Sequence, residues 1–90
     1  MAKVQIPGIV ASKLSIPGEM EIASPTIEAM LEEVFETHPK SRELICGEDG
    51  KLRRFVNIFV DGDDIRFLKG KDTEINESSE VTMISAVAGG

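Results

Sequence analysis

Catalysis by side chains needs groups in pairs or triads, a nucleophile beside a base or two carboxylates of opposed pKa. In these 90 residues the supply is thin: one cysteine (Cys46), one histidine (His38), scattered serines and 16 acidic side chains. Cys46 sits in a loop beside Gly47, and the cations near it in sequence are Lys40, Arg42 and Lys51. Few charges are therefore available to lower its pKa, and it reads as a half-buried structural thiol. A single cysteine also excludes an intramolecular disulfide and any zinc or iron–sulfur site built from cysteine alone. His38 falls at an expected helix C-terminus, where a cation complements the helix dipole. Asp61, Asp63 and Asp64 offer oxygen ligands but lack the regular spacing and distant glutamate of an EF-hand loop, so they read as a solvated turn. Glu28, Glu32, Glu33 and Glu36 fall mainly on the outer face of a helix and keep that surface wet.

The remaining candidate is the run Val87-Ala88-Gly89-Gly90 with which the sequence closes. Two glycines carry no Cβ, so such a tail reaches unusual dihedrals and enters a narrow channel with its carboxylate unhindered. Following directly on a strand, it is expected to be a flexible tail over residues 87–90 that suits delivery into another protein's active site. Flexible ends are common, so the pair gains meaning only from the fold that carries it.

Lys3 to Ile6 alternates, with Val4 and Ile6 on one side, until Pro7-Gly8 interrupts it. Ile16-Pro17-Gly18 marks a turn, and Glu19 to Ile22 alternates again, so a hairpin returning beside the first strand is expected, with Met20 and Ile22 inward. Ser24-Pro25-Thr26 supplies capping side chains and a proline suited to a first helical turn. Ile27, Met30, Leu31, Val34 and Phe35 then recur at three- and four-residue spacing, a helix with one apolar face that His38-Pro39 ends. Residues 40–54 read as connecting structure in which Leu44 and Ile45 tuck onto the core. Phe55 to Val60 is the strongest strand signal, and the turn pair Asp61-Gly62 leads into alternating Asp64, Ile65, Arg66 and Phe67, a second hairpin. Val81 to Val87 is the last strand. Strand, strand, helix, strand, short strand, strand is the order of one sheet curled around one main helix, an α+β layer arrangement with no internal repeat.

A chain this short buries only about 60–65 per cent of its unfolded surface and supports one core, so residues 1–90 are read as a single domain. Hydrophobic residues make up 41% of the chain, yet no apolar run approaches the roughly 20 residues that cross a bilayer. The first residues lack the apolar h-region of a secretory signal, and the reading is a cytoplasmic protein without a membrane partner. A net charge of −6 repels a phosphate backbone unless Lys51, Arg53 and Arg54 form a focused basic site, so nucleic acid is not expected.

The segments KLRRFVNIFVDGDDIRF and VTMISAVAGG resemble the MoaD/ThiS family of ubiquitin-like sulfur carriers, with a likeness running from about Val4 to Gly90. From Lys51 onward the chain is most similar to the CysO-type carriers of cysteine biosynthesis. The family often has proline where this chain has Ser85. The resemblance implies a β-grasp fold, a mixed sheet of four to five strands with the first and last side by side at its centre. It also implies a chain that is not itself an enzyme and binds no cofactor. A ubiquitin-activating-type partner would adenylate the Gly90 carboxylate with ATP and magnesium, and a sulfur donor would displace AMP to leave a thiocarboxylate. The sulfur would pass to a biosynthetic enzyme of the cysteine synthase type or the molybdopterin synthase large subunit type, with thiamine and thiolated tRNA as further destinations. If Val56, Ile58 and Val60 face the helix, Phe59 and Ile84 turn outward and form a candidate docking patch. Two alternatives stand beside this reading: a ubiquitin-like modifier joined through Gly90 to target lysines, and a β-grasp binding module whose terminus is never loaded.

Overall fold

The computed structural model describes residues 1–85. Five strands form one sheet in the order β2-β1-β5-β3-β4: β1 (Ala2–Gln5), β2 (Glu19–Ile22), β3 (Val56–Val60), β4 (Asp63–Asp64) and β5 (Glu80–Ser85). β1 and β5 run parallel at the centre, and every other pairing is antiparallel. This is the expected β-grasp arrangement, with the first and last strands as neighbours. On β3 the side chains alternate as period two demands, Val56, Ile58 and Val60 buried and Asn57 and Phe59 only partly so. Val81 and Met83 of β5 are buried on the same side.

Helix α2 (Ile27–Thr37) lies across that inner face and buries Ile27, Met30, Leu31, Val34 and Phe35, the five residues whose spacing predicts it. Thr26 is its N-cap, the hydroxyl accepting from Ala29 N at 3.2 Å. Pro25 stands one residue before the cap instead of inside the first turn. Pro25 carbonyl accepts from Ile75 N and Thr73 carbonyl from Ile27 N, stitching the helix entry to the last loop. His38 closes α2, its N–H donating to Val34 carbonyl, and its own carbonyl accepts the Ser41 hydroxyl at 2.7 Å.

Two further helices depart from the sequence expectation. α1 (Gly8–Leu14) follows Pro7, which reads as a strand interruption; Pro7 carbonyl instead accepts from Val10 N and Ala11 N and starts a helix. Ser15 ends it in the left-handed region (φ 55°), with Ile16 N returning to Ala11 carbonyl in a Schellman-like closure. α3 (Ser41–Ile45) converts part of the expected connection into one helical turn that buries Ile45 completely and Leu44 in part.

The second hairpin is shorter than its alternation suggests. Asp61 and Gly62 have φ of 50° and 90°, the paired positive values of a tight two-residue turn, and Val60 then pairs with Asp63. After Asp64 the strand stops, because the Asp64 carboxylate accepts from Arg66 N at 2.8 Å and draws Ile65–Phe67 into a 3-10 turn. Ile65 is buried in consequence, while Phe67 is 86% exposed.

Ile58 is 1% exposed in the middle of β3 and Phe67 packs on little, so their truncations separate. Ile58→Ala is expected to lower the unfolding free energy by about 2–5 kcal/mol in urea titrations. Phe67→Ser should stay within about 0.5 kcal/mol of the parent chain.

Candidate functional site

The outward side of β3 and β5 forms a small surface of defined register. Asn57 stands opposite Ile84, Phe59 opposite Thr82 on one side and opposite Asp64 on the other. Phe59 and Ile84 are therefore diagonal neighbours on adjacent strands, close enough for a large side chain to bridge. Ile84 is 45% exposed, whereas Phe59 is half-buried, so the apolar area presented is narrower than two free side chains would give. Arg66 closes the β4 side of this surface. Its Nη2 donates to Asp64 Oδ2 at 2.6 Å and to Asn57 Oδ1 at 2.8 Å. The guanidinium's hydrogen bonds to Asp64, and after them the bond from the Arg66 backbone N–H, hold the Asp64 carboxyl below its usual range. Toward β1 and β2 the exposed residues are polar or charged: Lys3, Gln5, Glu19 and Glu21.

A second concavity, about 310 Å3, opens on the helix side where β5 reaches Ser85. Ile9 and Val10 of α1, Leu44 of α3 and Phe55 give it an apolar floor, and Lys13, Glu43 and Arg53 stand around it. Arg53 Nε donates to Glu43 carbonyl at 2.8 Å, which ties the loop before β3 to α3.

The other candidates separate clearly. Cys46 is 3% exposed, more deeply placed than the half-buried thiol expected, and burial pushes its pKa up against the opposing pull of Lys71 and Arg42. Asp61 is exposed and its carboxylate accepts from Glu80 N at 2.9 Å, a structural bond across the hairpin end. Glu33 accepts the Ser24 hydroxyl and Glu32 pairs with Arg42, while Glu28 and Glu36 are exposed. Among the described residues no group of three His, Cys, Asp or Glu side chains is placed to hold a metal ion. Nor is any described helix long and apolar enough to cross a membrane. Gly90, Gly89, Ala88 and Val87 lie outside the described residues. Sequence reasoning places Phe59 and Ile84 outward but gives no sign that Arg66, Asp64 and Asn57 converge beside them. The Asp-x-Arg spacing is the only local hint, since an aspartate two residues ahead favours a turn that folds the arginine back.

Comparison with known proteins follows the same outline. The ThiS family pattern matches residues 8–90, and the chain belongs to that family. An Archaeoglobus fulgidus protein, provisionally named a sulfur carrier protein, is 33% identical over 75 residues, covering 81% of this chain and 85% of the relative. Sulfur carrier protein CysO of Mycobacterium tuberculosis is 54% identical over a shorter stretch of 41 residues, 46% of this chain and 44% of that protein. In the crystal structure of the Amycolatopsis orientalis BexX/CysO complex, a chain 29% identical to this one superposes with a TM-score of 0.86, all of both chains covered. The family is thus that of the small sulfur carrier proteins, as the resemblance in the sequence implies.

Deep burial and a raised pKa leave little thiolate at Cys46. The folded chain should therefore resist iodoacetamide at neutral pH under conditions that fully alkylate the urea-unfolded chain, as read by intact mass.

Proposed function

We propose that this protein is a sulfur-carrying cosubstrate whose Gly90 carboxylate is adenylated by a partner enzyme and then converted to a thiocarboxylate. The observation that supports this most directly is the family match through Gly90, on a chain whose central strand β5 is paired with β1 as far as Thr82 and with β3 as far as Ser85. The chemistry follows from the functional group. A carboxylate is a poor electrophile, so ATP converts it to an acyl-adenylate with loss of pyrophosphate. A sulfur nucleophile then attacks the acyl carbon, and AMP leaves with its electron pair. The resulting thiocarboxylate carries an ionised, polarizable sulfur that attacks the acceptor. Magnesium, the phosphate clamp and the sulfur-handling groups belong to the adenylating partner on this reading. The high local identity to CysO favours a cysteine-forming acceptor over a molybdopterin-forming one.

The outer face of β3 and β5 is the proposed docking patch, with Phe59 and Ile84 as its apolar centre. Both side chains point away from the core, Ile84 being exposed and Phe59 half-buried, so a polar replacement at Ile84 is the one that acts on contact alone. Phe59→Asp or Ile84→Asp is expected to lower the loading rate about tenfold, on the scale of an interface residue worth about 1.4 kcal/mol, with an unchanged urea midpoint for Ile84→Asp and a lower one for Phe59→Asp, whose new carboxylate faces Asp64. Unchanged loading removes the patch from the mechanism.

Intact mass after incubation with the adenylating enzyme, ATP and a sulfur source should show one oxygen exchanged for one sulfur, and deletion of Gly90 should abolish it. Higher-mass conjugates in cells without free thiocarboxylate would point instead to a lysine-linked modifier. Full function after removal of Gly89 and Gly90 would leave only the binding-module reading.

A further inference from the structure

Arg66 is held on the outer sheet face in an unusual way for a surface arginine. Its Nε donates to Asp64 Oδ1 at 3.1 Å and to Oδ2 at 3.2 Å, and its Nη2 to Asp64 Oδ2 and Asn57 Oδ1. Asp64 is register-paired with Phe59, and Asn57 with Ile84, so the guanidinium is fastened to both rows that carry the apolar patch. The Asp64 side chain is only 10% exposed while that of Arg66 is 66% exposed. The anchor is thus covered and the cation open, and Nη1 makes no hydrogen bond to any described residue. An arginine usually loses rotamer freedom when it binds; here that freedom is already restricted in the free chain, with Nε and Nη2 spent on Asp64 and Asn57 and Nη1 left as the open donor.

We infer that Arg66 is a partner-orienting residue. Its Nη1 donates to a carboxylate of the adenylating enzyme while Phe59 and Ile84 take an apolar side chain of the same surface. Phe59, Ile84 and Arg66 on one sheet face, with polar Gln5 and Glu19 toward its β1 and β2 side, have the composition of an interface hot spot. The inference rests on the carrier reading above and specifies its partner's chemistry.

Sign separates this contact from general electrostatics. At net charge −6 the chain is drawn as a whole to basic surfaces, and removing a cation strengthens that attraction. A non-specific effect of losing Arg66 would thus lower KM, and a local contact raises it. Pyrophosphate release by the adenylating enzyme is measured with wild-type, Arg66→Gln and Arg66→Lys chains. We expect Arg66→Gln to raise the KM for the carrier about tenfold at unchanged kcat, and Arg66→Lys to raise it less, because an ammonium keeps the charge without the clasp on Asp64 and Asn57. Urea midpoints should match the parent. An equal or lower KM for Arg66→Gln overturns the assignment and leaves the carrier reading intact. A raised KM with a lowered urea midpoint overturns it too, assigning Arg66 to holding β4. Failure of the wild-type chain to release pyrophosphate is a different result, which defeats the carrier reading and the inference together.

Discussion

The parallel pairing of β1 with β5 is the constraint on which the rest of the structure depends. It joins residues 3–5 to residues 80–82, nearly the full length of the chain. Parallel neighbours cannot be joined by a tight turn, so the chain must cross over, and α2 with its buried face is the element that covers the sheet on the way. β5 is consequently gripped on both edges, by β1 on one side and β3 on the other, with Ser85 still opposite Val56. A strand so held gives whatever follows it a fixed point of departure.

Much of this was legible because it rests on local periodicity. The alternation in β3 and the five apolar residues of α2 each report one buried face, and a buried face is a property that sequence spacing encodes directly. α1 was not legible, since it buries only Val10 fully and lacks a side-chain N-cap. α3 is too short for periodicity to register, and its place is set by Ile45 filling the core and by the Ser41 hydroxyl on His38 carbonyl. β4 misled for a different reason. Ile65 and Phe67 alternate correctly for a strand, but one aspartate hydrogen bond to Arg66 N supersedes the pattern and sends the two residues to opposite fates. Side chain-to-backbone competition of this kind depends on a single geometry and leaves no periodic trace.

The candidate site divides along the same line. That Phe59 and Ile84 face away from the core follows from period two, but their neighbours do not, because Asp64 reaches Phe59 through strand register and Arg66 reaches Asn57 through a turn. Composition had already narrowed the chemistry. Cys46 is buried and His38 serves a helix end, so the titratable inventory supports positioning far better than proton transfer or nucleophilic attack.

That limitation is coherent with a cosubstrate. An enzyme must hold several groups in register around a reacting atom, whereas a carrier must be recognised and must present one atom to sites built elsewhere. Recognition itself asks for two separable things. Net charge acts at long range and without regard to orientation. Orientation requires a local feature of opposite sign that cannot drift, and a guanidinium pinned by a covered carboxylate beside a small apolar patch meets that need. The same Asp64 that shortens the strand by turning the backbone at Arg66 also fixes the guanidinium on the outer face. The departure from regular β structure and the construction of the surface are therefore one event, set by a single aspartate.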